Sequence, residues 1–234
     1  MMRYCFILAM CFLHVFCSRK PVPHSGSKAL QASSRQYLAL GDSYTIGEGV
    51  TSSQTYPQLL VDALKAKQVD FGSPVVIART GWATADLLNA IEKSNLKERK
   101  FDLVSLLIGV NNEFQGRDLE EFEQQFRELL YKAIAFASGD KRKVFVLSIP
   151  DYGYTPFGNS DQPAISARID VFNQKLIQIT QSEGVAYYDI TGISRKAISD
   201  NSLIAGDGLH PSGKMYAEFV REIEAKVIRQ AGLQ

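Results

Sequence analysis

Beyond residue 17 the chain contains no cysteine: its three cysteines are Cys5, Cys11 and Cys17. A disulfide and a cysteine-based zinc site are therefore excluded for everything that follows. Histidine is almost as scarce. His14 and His24 stand near the start, and His210 is the one histidine in the stretch expected to fold. A multi-histidine metal site is excluded there too. No spacing of carboxylates suggests a site for a hard cation, so no cofactor is expected. Charge of one sign never accumulates: 26 basic and 25 acidic residues leave +1. The basic footprint of a nucleic-acid binder is missing. Apolar runs are also short, and none is long enough to span a bilayer comfortably.

What is present begins with a leader-like segment. Arg3 precedes an apolar stretch from Phe6 to Phe16, the length of a secretory h-region, and Ser18-Arg19-Lys20 ends it abruptly. Residues 1–17 read as a signal peptide that directs export. Two ways of processing remain open. Cys17 followed by Ser18 resembles the acylated cysteine of a bacterial lipoprotein, which would anchor the protein to a membrane. Val15-x-Cys17 would equally serve as an ordinary cleavage site, giving a periplasmic or extracellular protein. Residues 18–34 hold two prolines, several serines and no apolar period, the composition of a flexible tether.

From Arg35 to Gln234 short apolar runs alternate with longer amphipathic ones. Strands are expected at Tyr37–Leu40, Val75–Ala78, Leu103–Ile108, Val144–Ile149 and Val185–Ile190. Helices are expected at about 56–67, 84–94, 119–137, 165–182 and 212–229. Strands that are almost uninterrupted hydrophobic runs, each followed by a helix, predict a parallel sheet buried on both faces. One α/β domain results, a three-layer α/β/α sandwich with right-handed crossovers. Such sheets carry their chemistry at the carboxyl ends of the strands. Ser43 follows the first strand, Gly81 the second, Asn111 the third, and a long loop, 151–163, the fourth.

Those residues have a shared chemical reading. A serine hydroxyl becomes a nucleophile when a base removes its proton during attack, and His210 is the base available for Ser43. Asp207, three residues before His210, can fix the imidazole tautomer and stabilise its cation. The amides of Ser43 and Gly81 and the side-chain amide of Asn111 can meet the oxygen that turns negative in acyl transfer. Taken singly, each has a plainer explanation: an N-capping serine in a turn, a loop aspartate capping a helix, a glycine turn, a polar turn after a buried strand.

Together, Gly41-Asp42-Ser43-Tyr44, Gly81, Gly109-Val110-Asn111-Asn112 and Asp207-Gly208-Leu209-His210-Pro211 resemble, in order, the four blocks of the SGNH (GDSL-like) hydrolase superfamily. The resemblance spans residues 36–232. It implies a flavodoxin-like fold and a serine hydrolase acting on esters or thioesters. Ser43 is then the nucleophile, His210 the base, Asp207 its partner, and Ser43, Gly81 and Asn111 the oxyanion hole. Three positions depart from the pattern. Tyr44 stands in place of leucine and Asn112 in place of the frequent aspartate, while Arg79-Thr80-Gly81-Trp82 lacks the flanking asparagine of many members.

For substrate, Trp82, Tyr152, Tyr154 and Phe157 could line an acyl or sugar subsite, or simply pack their loops against the sheet. A catalytically silent surface binding protein on the same fold is the competing class, and the intact set Ser43, Asp207, His210 and Asn111 argues against it. A phosphate-ester hydrolase would need metal ligands or a basic clamp, for which Arg79 alone is thin support. The expectation is an esterase acting on a small ester such as an acyl lipid, acylated sugar or simple ester. Carbohydrate deacetylase, thioesterase and lysophospholipase are variants of the same chemistry.

Overall fold

The computed structural model describes Met1, Met2 and residues 34–233. The expected leader beyond Met2, Cys17 included, and all of the tether but Ser34 lie outside the described residues. Residues 34–233 belong to one compact unit.

Five strands form where the apolar runs predict them: β1 (Tyr37–Gly41), β2 (Val75–Ala78), β3 (Leu103–Leu107), β4 (Val144–Leu147) and β5 (Ala186–Tyr188). All pair in parallel, in the order β2-β1-β3-β4-β5. The three central strands are buried along their whole length, which is why they read as continuous hydrophobic runs. The edge strands β2 and β5 are partly exposed. β5 is shorter than the run Val185–Ile190 because a side chain takes over the backbone. The amides of Ile190 and Thr191 donate to Ser148 Oγ, at 2.7 and 3.0 Å, and the chain turns out of the ladder.

Five long helices cover the sheet: α2 (Tyr56–Ala66), α3 (Thr84–Lys93), α5 (Leu119–Phe136), α6 (Gln162–Glu183) and α8 (Gly213–Ala231). Three single turns, α1 (Ser43–Ile46), α4 (Val110–Phe114) and α7 (Thr191–Ser194), are too short to show an apolar period. α2 packs against α8 in one layer, and α3, α5 and α6 pack side by side in the other. Local chemistry sets the ends. Asp118 accepts from the amides of Glu120 and Glu121 to start α5, and Thr55 caps α2. α6 starts three residues earlier than its apolar period suggests, with Pro163 in its first turn, where a missing N–H costs nothing. It stops at Gly184, whose φ of 66° supplies the left-handed cap.

Core packing also aims the site. Phe122 of α5 stacks on Phe126 one turn along the same helix and packs tilted against Phe172 of α6, ring centroids 5.9 and 4.7 Å apart. A Cβ on Gly109 would meet Phe122 at 2.9 Å and Ile149 at 2.8 Å, and its φ is 129°. Only glycine can therefore turn the chain from β3 into α4 against this aromatic layer, and that turn delivers Asn111 to the carboxyl edge of the sheet.

Candidate active site

Ser43 opens α1 directly after β1, and is buried. Asp42 caps this turn, its Oδ1 accepting from the Tyr44 amide at 3.0 Å. The Asp42 carboxyl is wholly buried and its second oxygen has no partner among the described residues. Burial pushes its pKa up to about 7, only partly opposed by the amides around it.

The last part of the site is a loop between α7 and α8. Asp207 Oδ2 lies 2.7 Å from His210 Nδ1, while its Oδ1 accepts from the amides of Leu209 and His210 at 2.9 and 3.0 Å. Partial burial raises the Asp207 pKa, but these amides and the imidazole outweigh it and hold the carboxyl below its usual value. Asp207 thus stays an anion, suited to orient the imidazole and stabilise its cation. The loop is laced by backbone: Ala205 N donates to His210 O at 2.8 Å and Ser212 N to Leu203 O at 2.8 Å. Phe157 N donates to Gly208 O at 3.1 Å, so the long 151–163 loop buttresses the histidine turn. The ring of Tyr44 packs edge-on to His210 with centroids 5.8 Å apart. Ser43 and His210 line the same pocket without a direct hydrogen bond between them.

Gly81 occupies the third position of a tight turn, Arg79 to Trp82, with φ of 81°. Its amide and that of Ser43 donate to no other described residue. Asn111 gives one side-chain N–H to Trp82 O at 2.9 Å, leaving the other for the pocket. Asn112, the departure from the family pattern, is buried behind it. It receives the Thr84 amide on Oδ1 at 3.0 Å and donates to Thr84 Oγ1 at 2.8 Å, pinning the start of α3.

Ser43, Gly81, Asn111 and His210 line a single pocket of about 130 Å³, completed by Tyr44, Thr80, Val110, Phe114, Tyr152, Phe157 and Leu209. Of the aromatic residues singled out from the sequence, Tyr152 and Phe157 belong to this lining. Trp82 and Tyr154 do not: Trp82 packs on the core, and Tyr154 lies beneath the Arg195 guanidinium, 5.8 Å from its ring centre. Tyr152 is held by its hydroxyl, which donates to the buried carboxylate of Glu113 at 2.8 Å. Arg168 Nε meets that carboxylate at 2.5 Å. Sequence reasoning passed over Phe114 and Glu113 because α4 is a single turn. Leu209 was visible only as the spacer between Asp207 and His210.

The model of the GDSL-like lipase/acylhydrolase family matches residues 39–218, a span that contains every one of these positions. The chain belongs to this family. It is an SGNH hydrolase by family and by fold. No curated protein sequence matches it. Among solved structures, TesA superposes with a TM-score of 0.67 at 20% identity, covering 84% of this chain and 99% of TesA. Axe2, an acetylxylan esterase from Geobacillus stearothermophilus, gives 0.63 at 20% identity over 86% of this chain and 95% of its own. EstA, a psychrotrophic esterase from Pseudoalteromonas, gives 0.61 at 20% over 84% and 97%. At such identities the likeness establishes the α/β fold.

Proposed function

We propose that this SGNH hydrolase cleaves carboxylic esters through an acyl-enzyme. Ser43 attacks the carbonyl while His210 takes its proton, and Asp207 stabilises the imidazolium. The amides of Ser43 and Gly81 and the side chain of Asn111 stabilise the oxyanion, and His210 returns the proton to the departing alcohol. Water then repeats the sequence to release the acid. One observation carries this reading: Ser43, Gly81, Asn111 and His210 face one pocket while Asp207 sits 2.7 Å from His210 Nδ1.

The pocket wall also supports a substrate class. It is mainly apolar, and its one ionisable group besides tyrosine is His210 itself. An apolar cavity of ~150 Å³ accommodates a benzene, so this pocket of about 130 Å³ suits an uncharged acyl group of short to medium length. We read the N-terminal segment as an export signal, with Cys17 either acylated at a membrane or removed with the leader.

The test is turnover of p-nitrophenyl esters of increasing acyl length, by the protein and its Ser43→Ala variant. Serine-dependent hydrolysis that falls off beyond medium chains is expected. No hydrolysis of any ester, with Ser43 unreactive towards a fluorophosphonate, would instead favour a silent binding protein.

A further inference from the structure

The three oxyanion donors sit on three separate strand ends, and the Gly81 turn is the one that packing does not hold. Arg79, Thr80 and Gly81 are exposed, and no atom lies within 4 Å of where a Cβ on Gly81 would be. Trp82 N closes the turn on Arg79 O at 3.3 Å. With a positive φ at its third residue, this is the turn type in which the central peptide is flipped relative to the commoner form. Which way that peptide faces decides whether the pocket receives the Gly81 N–H or the Thr80 carbonyl.

Besides Asn111, which holds Trp82 O, two side chains grip this turn. The Thr80 hydroxyl donates to Glu48 Oε2. Gln115 Nε2 donates to Gly81 O at 3.2 Å, and Gln115 Oε1 in turn accepts from Arg117 Nε at 2.8 Å, which fixes its orientation. Each gripping residue is also joined by backbone to one of the other two donors. Glu48 N donates to Ser43 O at 3.0 Å, and Gln115 N to Asn111 O at 3.1 Å. The chain of contacts is Ser43–Glu48–Thr80 on one side and Asn111–Gln115–Gly81 on the other.

We propose that Glu48 and Gln115 are positioning residues that lock the Gly81 peptide in its oxyanion-facing orientation by tying its turn to the Ser43 and Asn111 elements. The proposal rests on the esterase reading of the site, and neither residue touches the reacting atoms. Loosening one tie leaves the donor present but badly aimed. The loss of rate is therefore smaller than the 10²–10³ that follows outright removal of a donor.

The test compares Glu48→Ala, Glu48→Gln, Gln115→Ala and Thr80→Val with the wild type on a short p-nitrophenyl ester. Each alanine variant should lower kcat about tenfold with KM within about twofold and an unchanged melting temperature. Glu48→Gln should retain near wild-type kcat, because its amide carbonyl still accepts the Thr80 hydroxyl. Glu48→Ala combined with Thr80→Val should be no slower than the slower of the two single variants. Wild-type kcat in both alanine variants would overturn the proposal. So would a Glu48→Gln as slow as Glu48→Ala, or a loss confined to KM. Hydrogen exchange of the Trp82 amide, which closes the turn on Arg79 O, is read without turnover: it should quicken in the alanine variants, and unchanged exchange would refute the tie. Absence of Ser43-dependent turnover in the wild type would count against the esterase reading itself, and the exchange result would still decide the tie.

Discussion

Two turns bring Gly81 and His210 to this pocket, and they are held in different ways. The Asp207–His210 turn is laced by main chain: His210 O, Gly208 O and Leu203 O each accept a backbone amide. The Gly81 turn is held from outside by side chains alone, those of Glu48, Gln115 and Asn111. Main-chain ties survive most substitutions, because every residue but proline carries the same N–H and C=O. Side-chain ties are written into single residues and can be cut one at a time. His210, the proposed base, should therefore be robust in position, and the proposed oxyanion hole adjustable by point substitution without unfolding the protein.

The largest effect separates chemistry from positioning. His210→Ala and Ser43→Ala should each remove turnover by a factor on the order of 10⁴ or more, with unchanged melting, since members of a triad act as a unit. A double variant no slower than either single one would confirm that unity, and additive losses would contradict it. Next comes the donor side. Asn111→Ala removes a donor and the tie to Trp82 O together, so a loss of about 10²–10³ in kcat is expected. Gly81→Ala has space for its methyl group but must hold a φ of 81°, a strain of about 1–2 kcal/mol. A peptide flip relieves that strain, and a comparable loss of kcat should follow. By contrast, Gly208→Ala strains a backbone-held turn with φ of 76° and should cost stability more than rate. If Gly208→Ala slows turnover more than Gly81→Ala, the contrast between the two turns fails.

A last effect lies beneath Ser43 and concerns stability, not rate. The folded Asp42 has a pKa of about 7 against an ordinary 3.8. Because the folded state binds this proton more tightly, the contribution is fully present below the ordinary value and lost as pH rises through about 7. The melting temperature of the wild type should carry this loss between about pH 4 and about pH 8, and Asp42→Asn should flatten that part of the profile. Identical slopes in thermal melts of the two proteins would show that Asp42 is ionised throughout.

The same contrast explains what the sequence made legible. Strands β1 to β4 and the five long helices could be read because burial on one or both faces leaves a period in the composition. The single turns α1, α4 and α7 left none, and β5 was over-extended because nothing in Val185–Ile190 announces that Ser148 will capture the amides of Ile190 and Thr191. The Asp207-x-x-His210 pair was legible because its geometry is local, three residues apart. Glu48 and Gln115 were not, since their partners lie 32 and 34 positions away. Trp82 and Tyr154 looked as suited to a pocket as Tyr152 and Phe157, because an aromatic residue in a loop carries no mark of which way it faces.

The most direct measurement is the mass of tryptic peptides after reaction with a fluorophosphonate, for the wild type and His210→Ala. One phosphonyl adduct on Ser43, formed at least a hundredfold more slowly without His210, is the result expected of a serine nucleophile activated by that base. An adduct on another residue, or a Ser43 that reacts equally fast without His210, would contradict it.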